Sequence, residues 1–428
     1  MYKVKSYIES AAYEGSLFDC AEWLNGTSFK SSERDNSGIP IIKIEELKSG
    51  ITPNTEFYSG NAKDKFKLSD NDLLYSWSGN PETSLDAFFF NLGEGILNQH
   101  IFKISPKKFI TKKYFFYYLH FLKPILKRIA RDKQTTGLGH ITIQDLKDLK
   151  IKLPSIEKQD QIVDLLDPLD KKIRLNQKIN KILETTLYNI FKAYFVDFEN
   201  INSLKEENYS FPYSFEDTEL GKIPKGWSIK NLSDLCYENE EKIKPELYPE
   251  QDYQVYDIPS FDSALYPIVM KGNSILSQKS LISNEMILIS KLNPNVPRIW
   301  NPLSISDLPM ITSTEFVSLI PKYDTKFFIL SFLKSYNSIQ TLSKMVTGTS
   351  SSHQRVMKQD ILEQKIVCPP MDLMKTINKD LEMIYKKIEV NLVEINHIKK
   401  LRELIIPKVF SGKLNIFNLK KTFYEKKI

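Results

Sequence analysis

The residues best suited to grip a nucleic acid lie in short polar runs, two of which end apolar, strand-like segments. Residues 347–355 (TGTSSSHQR) gather hydroxyls, amides, one imidazole and one guanidinium on a glycine-containing loop. Backbone N–H groups there, with Thr347, Thr349, Ser350, Ser351 and His353, can hold phosphate, while Gln354 or Arg355 can reach base edges. An earlier run, residues 134–140 (QTTGLGH), offers Thr136 and His140 but lacks the arginine and the serines. Ser76, Ser78 and Asn80 follow one apolar run, and Ser290, Lys291, Asn293 and Arg298 follow another. Gln99 adds a carboxamide of the kind that pairs bidentately with adenine, and His100 stands beside it. Lys107 and Lys108, with Lys112 and Lys113, suit phosphate anchors. A solvated surface loop would carry the same residue types, so both readings stand at this level.

A chain of 428 residues calls for two to four domains. Its 41% hydrophobic, 12% aromatic and 26% charged residues are those of a globular protein rather than a disordered or fibrous one. The N-terminal residues form no signal peptide, and no run approaches the roughly 18 uncharged apolar residues of a membrane span, so a cytoplasmic protein without a membrane partner is expected. Cys20, Cys236 and Cys368 are far apart and the five histidines are scattered, which leaves no disulfide framework and no metal-ligand spacing. The net charge of +6 is unevenly spread. Between Lys103 and Lys152, thirteen basic residues face three acidic ones, interleaved with aromatics, a composition that suits a polyanion or a solvated helix face equally. Between residues 199 and 252 the sign reverses.

The chain repeats itself once. Residues 145–154 (DLKDLKIKLP) align with residues 360–369 (DILEQKIVCP) at an offset of 215. The same offset pairs Ile162 with Ile377, Leu166 with Leu381, Asn176 with Asn391 and Phe195 with Phe410. Each copy opens with strand-like runs, at 39–44, 72–76 and 101–104 in the first and at 286–290 and 316–320 in the second. An aromatic, helix-like segment follows, at 113–131 (interrupted by Pro124) and at 325–345. Phe88, Phe89, Phe90 and the aromatics from Tyr114 to Tyr118 read as core, and Trp227 and Trp300 as structural. Each copy ends in a long heptad pattern. Ile162, Leu166, Leu169, Ile173 and Asn176 begin one seam; Ile377, Leu381, Ile384, Ile388 and Asn391 begin the other. A sustained 3.5-residue period means a coiled coil, each helix partnering the other or a second chain. Two helices of ~32 residues would span ~48 Å. Pro407 should kink or end the second helix, with Gly412 as its C-cap. The fold class is therefore α+β: two mixed α/β modules joined by two long helices in a tandem repeat. The divisions expected are residues 1–155 and 199–370 for the modules, 156–198 and 371–412 for the helices, and 413–428 for a tail.

Several stretches together resemble the specificity (S) subunit of type I restriction-modification enzymes. They are residues 38–44 (GIPIIKI), 151–184 (IKLPSIEKQDQIVDLLDPLDKKIRLNQKINKILE), 220–227 (LGKIPKGW), 289–300 (ISKLNPNVPRIW) and 346–356 (VTGTSSSHQRV). The resemblance implies two target-recognition domains that read the two parts of an interrupted, asymmetric double-stranded DNA sequence. It implies an antiparallel coiled coil that sets the gap between them. It further implies two modification subunits that methylate adenine with S-adenosylmethionine, and restriction subunits that use ATP and Mg. The chain itself carries no G-x-x-x-x-G-K-[ST] phosphate loop and no Asn/Asp-Pro-Pro-aromatic tetrapeptide, and Gly93-Glu94-Gly95 lacks a third glycine. No catalytic residue, metal or cofactor is assigned to it. Two rival classes remain at this level: a single-chain DNA-modifying enzyme, and a coiled-coil scaffold that binds only proteins.

Overall fold

In the computed structural model, Tyr13–Ser16 pairs antiparallel with Lys150–Leu153, and Ser228–Asn231 pairs in the same register with Lys365–Cys368. Every residue of the second pairing lies 215 positions after its counterpart in the first. The structure describes residues 11–60, 63–134, 137–198, 214–346 and 354–414. It divides into two compact units, Met1–Lys171 with Ile398–Ile428, and Lys172–His397. Each long helix therefore contributes residues to both.

Both units carry the same two sheets. In the first, a four-stranded sheet runs Ala21–Asn25, Ile101–Pro106, Leu73–Ser76, Asp86–Phe89. Its counterpart runs Cys236–Glu238, Phe316–Pro321, Ile287–Ser290, Ile299–Trp300. All pairings within these two sheets are antiparallel. The central strands Leu73–Ser76 and Ile287–Ser290 are buried along their whole length, which explains why they are apolar runs rather than alternating ones. A five-stranded sheet in each unit contains one parallel pairing, Ile39–Ile42 with Glu94–Leu97 and Asp252–Tyr256 with Met310–Thr312.

The aromatic segments become helices that pack on the four-stranded sheets and on the long helices. Lys112–Asp132 is one unbroken helix despite Pro124, contrary to the interruption expected there. The segment expected as one helix at 325–345 is instead two, Lys326–Leu333 and Tyr336–Lys344, because Ser335 turns out of the helix and its hydroxyl accepts from the Ser338 N–H. Both segments dock through a side-chain amide of a long helix: Gln159 Oε1 accepts from the Thr111 N–H at 2.9 Å, and Asn378 Oδ1 accepts from the Phe327 N–H at 2.7 Å. Tyr114, Tyr118 and Phe121 surround Phe410, while Phe328 and Phe332 meet Phe191. Such aromatics bury 150–250 Å² each and dominate the packing of a core.

The long helices span Ile156–Phe195 and Met371–Phe410, 40 residues each rather than ~32. Pro407 lies inside the second helix, which continues to Phe410; Gly412 follows with φ +72, a left-handed conformation that suits glycine. Within the second unit they pair antiparallel. Asn176 donates to Glu394 at 2.7 Å and Asn391 to Asn180 at 2.7 Å, so that numbers rise on one helix as they fall on the other. In the first unit, Arg402 donates to Asp170, which also accepts from the Tyr117 hydroxyl at 2.8 Å. Among the described residues no helix is long and apolar enough to cross a membrane. The three cysteines are buried and free, and burial pushes their thiols up to about 12, which makes them inert.

Candidate nucleic-acid interface

Two of the polar runs singled out in the sequence leave the ends of the central strands Leu73–Ser76 and Ile287–Ser290, and the backbone there is held alike in both units. The Trp77 N–H donates to the His100 carbonyl at 3.2 Å, and the Lys291 N–H donates to the Glu315 carbonyl at 2.9 Å. The Trp77 carbonyl accepts from the Ile141 N–H at 2.8 Å, and the Lys291 carbonyl accepts from the Val356 N–H at 3.0 Å. Ser78 pairs antiparallel with His140, as Leu292 does with Arg355. These are repeat-equivalent positions, so one backbone frame is built twice. Loops fixed by a rigid scaffold in this way are where binding residues concentrate.

The side chains on the frame differ. In the first unit Trp77 stacks on Phe102 with centroids 5.4 Å apart, and its Nε1 donates to Asn25 Oδ1 at 2.9 Å. His100 stands 5.9 Å from the Trp77 ring, with Gln99 Nε2 3.3 Å from His100 Nε2. Gln99, His100, His140 and Asn80 are exposed, and Ser78 is half-buried. In the second unit Arg355 pairs with Glu315 at 3.0 Å. Asn293 adopts φ +50 and its N–H donates to the Gln354 carbonyl at 2.8 Å, while Asn295 Nδ2 donates to Gln354 Oε1 at 3.0 Å. Lys291, Asn293 and Gln354 are half-buried and Arg355 is exposed.

Three expectations are corrected. Ser76 and Ser290 are buried, with the Ser76 hydroxyl spent on the Ser84 and Asp86 carbonyls and that of Ser290 on the Leu292 carbonyl; neither faces a groove. Arg298 is not a free cation either, since it grips Asp262 through Nε at 2.7 Å and Nη2 at 2.9 Å. Much of the basic block of the first copy is paired with acids, most of them brought from elsewhere in the chain. Lys123 pairs with Asp86, Lys127 and Arg131 with Glu82, Lys133 with Asp145, Lys113 with Asp167, and Lys107 with Glu22. Burial alone would raise the Asp86 carboxyl, but its bonds to His120 and Lys123 outweigh that and hold it below the usual carboxylate range. Lys108 remains exposed beside Lys107. Thr136, Thr347, Thr349, Ser350, Ser351 and His353 lie outside the described residues.

The family model for the type I restriction modification DNA specificity domain matches this chain twice, over residues 14–185 and 224–400. The chain belongs to that family. The two specificity-domain matches fall on the two copies of the repeat. Among curated relatives, the chain is similar to the type I restriction enzyme MjaIX specificity subunit of Methanocaldococcus jannaschii, 26% identical over 75% of this chain and 73% of that one. It is also similar to the HindI specificity subunit of Haemophilus influenzae, 23% identical over 84% of this chain and 90% of that one. The crystal structure of the type I restriction-modification system S subunit from M. genitalium shares its fold, with a TM-score of 0.50 at 15% identity over 96% of this chain and 99% of that one.

Within this specificity-domain frame, Trp77, Asn25 and Glu315 are the positions the sequence left unmarked. Trp77 lies between Ser76 and Ser78, but only its stacking on Phe102 and its bond to Asn25 make it part of a surface. Nothing in the sequence placed Glu315 beside Arg355, 40 residues away.

Proposed function

We propose that this chain is the DNA-recognition subunit of a type I restriction-modification complex. One unit reads one part of an interrupted, asymmetric double-stranded DNA site, and the other unit reads the second part. The observation that carries this reading is one backbone frame built twice with unlike side chains, in a chain whose two halves both match the specificity-domain family. Equal frames can present to DNA in the same way, and unlike side chains can read unlike bases.

Recognition is this chain's part of the work, and methylation of adenine and cleavage of DNA fall to two modification subunits and to restriction subunits. S-adenosylmethionine, ATP and Mg belong to those partners, and the assembly works on DNA in the cytoplasm. The helix pair of the second unit supports a protein partner. Leu175, Ile182, Met383 and Val390 are each more than half exposed. They repeat at seven-residue spacing on the outer edge of each helix, next to the Lys172–Glu394 ion pair, so that both stripes lie on one face of the pair.

The test is equilibrium binding of the full chain, co-expressed with its modification subunits, to a randomised double-stranded DNA library at several salt concentrations. The expected result is selection of two constant blocks with a fixed gap, on an affinity that falls as salt rises. Salt-independent or absent binding would favour a protein-only scaffold.

A further inference from the structure

The frame repeated in the two units is invariant where it is buried and different where it faces outward. Ser76 and Ser290 are both buried at the same position, and the hydrogen bonds that follow them are the same in partners and direction. The three side chains standing on that frame have changed completely: Trp77, His100 and His140 in the first unit, Lys291, Glu315 and Arg355 in the second. In each unit members of the trio touch, Trp77 with His100 through their rings and Glu315 with Arg355 through an ion pair. Packing does not account for the change at His100, His140 and Arg355, which are exposed.

We infer that these two trios are the specificity-determining positions of the chain, and that the second trio reads a G·C base pair. The inference rests on the DNA-recognition reading above and says which residues discriminate. A guanidinium suits the two acceptors of guanine, and a carboxylate accepts from the amino group of cytosine. Glu315 and Arg355 are 3.0 Å apart, so the two groups are held side by side as the two edges of one pair require. One oxygen of Glu315 is held by the Arg355 guanidinium, and the other, Oε2, is enclosed without a hydrogen-bond partner among the described residues. Lys291 adds a cation for a neighbouring phosphate or base edge. The first trio carries no carboxylate and no guanidinium. It offers an indole face and two imidazoles, a different set of donors and acceptors.

The experiment transfers one trio into the other unit. The full chain, co-expressed with its modification subunits, is selected on a randomised double-stranded DNA library as wild type, as Trp77→Lys/His100→Glu/His140→Arg, and as Arg355→Ala. The exposed single changes His100→Glu and His140→Arg serve as controls should the triple variant fail to fold, since only Trp77 packs on the core. The expected result is that the graft moves a G·C preference of about five-fold or more into the first block at one position, with the gap and second block unchanged. Arg355→Ala should relax one position of the second block by a similar factor. An unchanged first block in the grafted or single variants would overturn the inference, as would uniform weakening on all sequences by Arg355→Ala. A wild-type chain that selects no two-block site would overturn the underlying recognition reading instead.

Discussion

Asn391 donates its side-chain amide to the Asn180 carboxamide oxygen at 2.7 Å, deep in the seam of the second unit's helix pair, where Asn391 is 1% exposed. Asn180 in turn donates to the Ile388 carbonyl at 3.3 Å. A one-heptad slide of the pair would set Asn391 against Ile173 and Asn180 against Ile384, leaving two amides buried among aliphatic side chains. Each such amide costs about 1–3 kcal/mol. The asparagines therefore hold the register, as polar seam residues do.

The two should be coupled. Asn180→Leu strands the Asn391 amide and should destabilise the chain by about 1–3 kcal/mol in urea unfolding. Adding Asn391→Leu removes the stranded group and should recover most of the loss, because a matched apolar seam is stable though less specific. Strictly additive losses would show that the amides do not act together.

Glu389 gives a pH signature. Burial lifts its carboxyl above the ordinary 4.5; Lys326, the amide of Asn301 and Lys386 oppose the rise, and Glu285 adds to it. A carboxyl raised by folding favours the native state below its unfolded value, and that contribution is lost as pH rises through the folded value. Glu389→Gln should accept the same Asn301 bond without a charge. Unfolding free energies measured from pH 4 to pH 8 should thus fall less steeply for the variant across the window above 4.5. Parallel curves would show that Glu389 contributes nothing to the pH dependence of stability.

Lys107 and Lys108 should separate in DNA binding. Lys107 is shared with Glu22 at 2.7 Å, whereas Lys108 is exposed. If Lys108 meets a phosphate, Lys108→Ala should lower the slope of log affinity against log salt by about 0.9, and Lys107→Ala by less. Equal slopes for both variants and wild type would mean that neither lysine reaches the backbone.

The duplication was legible because the period-3.5 seam and the 145–154 motif recur at one offset, and the helices Ile156–Phe195 and Met371–Phe410 keep that offset at both ends. The seam asparagines were legible too, as polar interruptions of an apolar repeat. What composition hid was pairing at a distance. The basic block suited a polyanion as well as a solvated face because acids that pair with it, Asp86 and Glu82, sit 37 to 49 residues away in sequence. Ser76 and Ser290 looked like groove-facing hydroxyls because position at a strand end says nothing of which carbonyls lie overhead. Pro124 looked like a break because the local rule holds for isolated helices, whereas here the sheet and the core hold both sides of it.

On the proposed function, two related units read two different parts of one interrupted DNA sequence. Base-resolution mapping of adenine methylation, in a host that expresses this chain with its modification subunits, tests it most directly. The expected map is one motif made of two unlike blocks at a constant gap, lost when the chain is deleted. A single uninterrupted motif, a palindrome, or a methylation pattern indifferent to the chain would contradict it.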